Sequence, residues 1–173
     1  AAEQTDDVTQ QVALVEQLTA ELLGQETSGT SAGQAQAPLT ERSLAAIVQE
    51  RKAAMLQLME VAPADVLRLA LPADVRVRLP LEVQPYLERN LRGEGFLEVV
   101  GEDWPDRAIT RYTLVTDTQR YRLHFAGTSP RLLSGTRARV FGLSRDHEVA
   151  LASGEPTASQ TTGLTVLAEA LPD

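Results

Sequence analysis

The stretch His147-Glu148-Val149-Ala150-Leu151 comes nearest to carrying chemistry. A zinc-peptidase helix needs His-Glu-x-x-His, so that two imidazoles four residues apart hold the metal while the glutamate acts as base. Here the fifth position is Leu151, and the surrounding alternation reads as a strand. The only other histidine, His124, would need a nucleophile within hydrogen-bond reach to serve as a base. Ser129, Ser134 and Ser144 stand in turn-like contexts, and none sits in a Gly-x-Ser-x-Gly elbow. Glu102, Asp103 and Asp106 gather around Trp104-Pro105, where paired carboxylates could exchange protons or hold calcium. Without EF-hand spacing or its glycine, a solvated loop is the favoured reading. Gly93-Glu94-Gly95 lacks the third glycine and the following helix of a phosphate loop. No catalytic, cofactor-binding or metal-ligating residue is therefore assigned, and the chain is expected not to be an enzyme.

Charge and composition narrow the partners. The net charge is −8, and six of the acids lie in residues 1–38, which hold no Lys or Arg. Such a chain repels phosphate backbones and anionic lipid unless a local basic patch intervenes. The candidate patch is Arg107, Arg111, Arg120, Arg122, Arg137 and Arg139, which reads more readily as the solvated face of a sheet. Three Tyr, three Phe and one Trp offer few platforms for base stacking, so nucleic acid is not an expected partner. The absence of cysteine removes disulfides, Cys-ligated zinc and thiol catalysis. No apolar run approaches the ~18–20 residues of a membrane-spanning helix. The start at Ala1-Ala2-Glu3 is what remains after cleavage beyond a small-x-small site, or of an artificially trimmed end.

The elements follow from periodicity. Val8, Val12, Val15, Leu18 and Leu22 recur at helical spacing and form one apolar stripe, with Thr5, Asp6 and Asp7 at the start and Gly24 placed to end it. That stripe must dock, either on its own domain or on another subunit, so these five residues are candidate protein contacts. Residues 25–38 have linker composition. A second helix is expected from Thr40 as N-cap, with Leu44, Ile47, Val48, Met55, Leu58 and Met59 on one side. Prolines 63, 72, 80 and 85 then divide short helical turns within a helical segment spanning 39–92.

Gly93 and Gly95 mark the switch to strands. Phe96–Val100, Arg111–Val115, Arg120–Ala126, Thr136–Gly142 and Glu148–Ala152 read as successive strands from their apolar/polar alternation, and Asp117-Thr118-Gln119 joins the second and third in a hairpin. The fold expected is α+β: N-terminal helices followed by a small antiparallel five-stranded β-barrel, OB-like, over 93–155, with 156–173 as a C-terminal extension. Trp104 either anchors a contact surface or caps one end of the barrel.

Several strings together resemble a known module. Arg51, Met55-Leu56, Leu58-Met59, Ala70-Leu71-Pro72 and Leu79-Pro80 lead into Gly95-Phe96-Leu97-Glu98-Val99. Arg111-Tyr112, Tyr121-Arg122-Leu123-His124-Phe125-Ala126 and Leu133-Ser134-Gly135-Thr136 follow. Over residues 44–155 this is similar to an N-terminal module of large secreted bacterial multidomain proteins, some of which continue into a gametolysin-like metallopeptidase domain. The resemblance implies secretion, a non-catalytic role and a position upstream of other domains, and it carries no functional site residues. The sequence thus leads to a secreted accessory or prosegment-like module without cofactor, whose partner is protein: itself or a downstream domain. The alternative is a structural subunit of an extracellular assembly or filament that uses helix 8–22 to contact a neighbour.

Overall fold

Tyr112 and Leu114, Leu123 and Phe125, and Val149 and Leu151 are pairs two residues apart, and all six side chains are buried in one cluster. Alternation of this kind sends one face of each strand inward and the other to solvent. The computed structural model describes residues 2–28, 43–104, 107–155 and 162–170. Six strands form one sheet: β1 (Arg89–Trp104), β2 (Arg107–Val115), β3 (Arg120–Ala126), β4 (Arg137–Arg145), β5 (Glu148–Ala152) and β6 (Gly163–Ala168). Five of them close into a ring in the order β1-β2-β3-β5-β4, with β4 pairing back onto β1, while β6 adds to β4. The expected α+β arrangement, helices first and strands after, is the one found.

Ring closure depends on β1. Its first half pairs antiparallel with β4 and its second half with β2, the exchange falling at Phe96, which faces both Val115 and Arg137. Gly95 stands at that crossing because a side chain has no room there. A Cβ at this position would lie 2.1 Å from the Val115 carbonyl oxygen. Tyr112 and Phe125 meet edge to face inside the ring, with centroids 5.3 Å apart.

The helices are α1 (Ala2–Ser28), α2 (Leu44–Val61), α3 (Pro63–Leu69) and α4 (Ala73–Arg76), with a short 3-10 turn at Gln84–Tyr86. Val15 of α1 packs with Met55, Leu58 and Met59 of α2 and with Ala150 of β5. Leu18 and Leu22 pack with Ile47, Val48 and Leu87. Burial of each such Val or Leu is worth about 1.5–3 kcal/mol. Strand β5 is therefore covered on both sides: Val149 and Leu151 face the ring interior, and Ala150 faces the helices.

Several boundaries differ from the sequence expectation. Helix α1 passes through Gly24 to Ser28, because Gly24 does not take the left-handed conformation that ends helices. The N-cap of α2 is Ser43, whose hydroxyl accepts the Ala46 N–H at 3.2 Å; Thr40 and most of the 25–38 linker lie outside the described residues. Strand β1 begins at Arg89, four residues before the first of the two glycines. The pairing is not wholly antiparallel, since β3 and β5 run parallel from Arg122↔Glu148 to Ala126↔Ala152. The C-terminal stretch 156–173 contributes a sixth strand, β6, rather than a plain extension. Its partner is β4, which the ring leaves with a free edge over Arg137–Phe141.

Candidate functional site

Period-2 alternation places Phe96, Glu98, Val100 and Glu102 of β1 on the outer face of the ring. Arg111 and Thr113 of β2 and Arg120, Arg122 and His124 of β3 share that face. These three arginines each lie beside a carboxylate. Arg111 Nε lies 3.1 Å from Glu102 Oε1, and Arg120 pairs with Glu98. Arg122 Nη1 lies 3.0 Å from Glu60 at the end of α2 and 4.0 Å from Glu148. On β4, Arg137 and Arg139 share Glu94 at 2.5 and 2.9 Å. The Arg139 and Arg137 guanidinium groups hold the Glu94 carboxyl below the usual carboxylate range. The side chain of Arg107, sixth of the candidate patch, lies outside the described residues. With five of six arginines beside a carboxylate, the face lacks the net positive charge that a phosphate backbone requires.

The parallel β3–β5 pairing brings together residues that are distant in sequence. His124 Nε2 hydrogen-bonds the Glu148 carboxylate, so Glu148 pairs with this histidine rather than with its neighbour His147. The His147 ring instead packs near Tyr121, at 6.3 Å between centroids. A carboxylate that orients an imidazole is half of a general-base arrangement, and a nucleophile would complete it. Ser129 lines the same cleft as His124, about 590 Å³ between the β2–β3 face and the α2–α3 corner. The hydroxyls of Ser134 and Ser144 are engaged with the Val99 and Arg89 carbonyls. Among the described residues no group of three His, Asp or Glu side chains is arranged to hold a metal. Asp106, from the acidic cluster, lies outside the described residues.

The apolar stripe of α1 is occupied within its own chain. Val15, Leu18 and Leu22 are fully buried, and Val8 and Val12 are half-buried against the same layer. Those three side chains have no surface left for a neighbour. Trp104 ends β1 and its backbone pairs with Arg107 across the β1–β2 hairpin; its side chain lies outside the described residues.

Sequence reasoning missed a set of buried guanidinium groups. Arg51 of α2 is 1% exposed and donates to both Glu88 oxygens at 2.7 and 3.1 Å, to Thr19 of α1 at 2.9 Å and to the Leu69 carbonyl at 3.3 Å. Glu88 also accepts the Leu71 N–H at 2.7 Å. Burial alone would push the Glu88 carboxyl up. The Arg51 hydrogen bonds and charge, with the Leu71 N–H, outweigh it and leave the group below its ordinary value. Arg145 donates to the Pro85 and Leu87 carbonyls at 2.8 and 2.9 Å, and Arg76 donates to the Glu88 carbonyl at 2.8 Å and to Asn90 Oδ1 at 2.9 Å. These groups tie the connection between helices and ring to both layers. A signal was present: Arg51 stands four residues after Ile47 and four before Met55, a cation on an apolar stripe that demands a buried acid.

Comparison with protein-family models, curated proteins and solved structures yields no match to this chain.

Proposed function

We propose that the chain is a secreted, non-catalytic accessory module, prosegment-like, that binds protein through the outer face of β1, β2 and β3. The observation that carries this reading is the charge balance of that face. Arg111, Arg120 and Arg122 each meet a glutamate, while Phe96 and Val100 on the same side of β1 are 57% and 53% exposed. Exposed apolar area beside charges of both signs suits another polypeptide. The ring order, with its single parallel pairing between β3 and β5, supports reading it as a small OB-like barrel, whose β2–β3 face is the usual binding surface. Secretion and a place ahead of other domains rest on the resemblance described above. No helix among the described residues is long and apolar enough to cross a membrane.

This reading predicts a longer secreted precursor with a peptidase domain beyond Asp173, and binding between that domain and this chain measurable by calorimetry. Phe96→Asp is expected to weaken that binding by about tenfold or more, as loss of an aromatic anchor does. Hydrolysis of peptides or esters by the purified chain would reject it.

The second reading, a subunit of an extracellular assembly or filament joined through helix 8–22, has less support. Burial of Val15, Leu18 and Leu22 on α2 leaves only the half-buried Val8 and Val12 for a neighbour. A monomer that persists at high concentration in light scattering removes it.

A further inference from the structure

Among the described residues three arginines are buried, and they differ in what answers their charge. Arg51 has Glu88 and Arg145 has Asp146, each within ion-pair distance. Arg76, 9% exposed, has only neutral acceptors, the Glu88 carbonyl and Asn90 Oδ1, and no ion pair among the described residues. A desolvated guanidinium without a carboxylate is costly, and two hydrogen bonds engage two of its five N–H groups.

Arg76 also lines two clefts, one of about 280 Å³ and one of about 520 Å³, with Ala73 and Asn90 common to both. These volumes lie near the usual range for small-molecule sites, about 300–1,000 Å³. The larger is walled by Leu67, Leu71, Pro72 and Leu143. Its remaining polar side chains are engaged: Arg68 with Glu16 and Asp65, Thr162 with the Ala152 N–H, and Asn90 with Arg76 itself. With those side chains engaged, the apolar stretch from Leu67 to Leu143 beside the Arg76 guanidinium suits an aliphatic chain ending in a single negative group. In the smaller cleft the Glu88 carboxylate is already held by Arg51, and Gln84 donates to the Leu79 carbonyl. Guanidinium geometry favours a planar carboxylate, which accepts two parallel N–H bonds.

We propose that the Arg76 clefts form a binding site for an aliphatic monocarboxylate, its carboxylate on the Arg76 guanidinium and its chain along the Leu67–Leu143 wall. Of β1 and β3 this site reaches only the ends, at Arg89, Asn90 and Ala126. It includes none of Phe96, Val100, Arg111, Arg120 or Arg122, so it stands or falls separately from the protein-binding reading.

The test is calorimetric titration of the full chain with octanoate, octanol and octyltrimethylammonium. One saturable octanoate site is expected, with the other two weaker by about tenfold or more, the worth of a charge-assisted hydrogen bond. Arg76→Gln should abolish the preference for octanoate over octanol. Should that variant fail to fold, Ala73→Phe decides: Ala73 is exposed on α4 and lines both clefts, so a phenyl ring there blocks the site without disturbing the core. Octanol binding as tightly as octanoate, or octanoate binding unchanged in Ala73→Phe, overturns the proposal. So does a response confined to short peptides with a free C-terminal carboxylate.

Discussion

Inside the ring, Leu97, Leu114, Val140, Val149 and Leu151 meet other apolar side chains, and Arg111, Arg120 and Arg122 stay on the outer face. In the helical layer the largest fully buried side chain is Arg51, and its ion pair with Glu88 joins α1, α2 and the approach to β1. The two regions bury comparable aliphatic residues but are specified differently. Apolar packing is tolerant of volume-conserving exchange, whereas a buried ion pair tolerates the loss of both partners better than the loss of one. The helical layer is therefore the region whose order depends on charge, and the ring is the region whose order depends on shape.

The largest expected effect comes from breaking that charge dependence. Arg51→Met leaves Glu88 buried and unmatched and should cost about 3–5 kcal/mol in urea denaturation, while Arg51→Met with Glu88→Leu should recover most of it. Equal costs for the single and double variants would erase the contrast between the regions. Leu151→Ala, in the ring, should cost about 2–5 kcal/mol through the cavity it leaves, with no rescue from a second change elsewhere.

Acid should sharpen the contrast. The folded-state value of Glu88 is depressed, so its stabilising contribution is fully present above the ordinary 4.5 of an unfolded carboxyl and is lost as pH falls through the folded value. Asp146 behaves alike. Burial raises it, but Lys52 at 3.0 Å and Arg145 outweigh this and lower it below 3.8. Hydrogen exchange followed downward from pH 4.5 should expose α1 and α2 amides before those of β1 and β2, and Glu88→Gln should flatten that dependence. Ser43→Ala, which removes the N-cap of α2, should cost about 0.5–2 kcal/mol. Smallest of all, Arg120→Gln should lower the unfolding free energy by less than about 1 kcal/mol in urea denaturation, because its pair with Glu98 is solvent-exposed.

Local patterns explain which parts were legible in the sequence. The α1 stripe, Pro63 at the start of α3, the Asp117–Gln119 hairpin and the inward set Tyr112, Leu114, Leu123 and Phe125 all arise from spacings of a few residues. What escaped depends on pairing across long separations. The parallel β3–β5 register couples Arg122 to Glu148, and nothing near either residue announces it. The His124–Glu148 contact follows from that register, so it was hidden behind the spurious neighbourhood of His147 and Glu148. Strand β6, Gly-Leu-Thr-Val-Leu-Ala, has little polar alternation to betray it. The buried arginines were passed over because composition assigns such residues to the surface.

Strand β5 takes its second cover from helices encoded far ahead of it, since Val66 of α3 and Met55 of α2 belong to the same cluster as Ala150. During translation those helices emerge first and must wait for β5, of the order of ten seconds at the usual ~5–20 residues per second. In that interval their apolar stripes lack their final partner. The growing polypeptide thus passes through a stage at which chaperone binding or premature association competes with productive folding, and the late arrival of Ala150 closes that window.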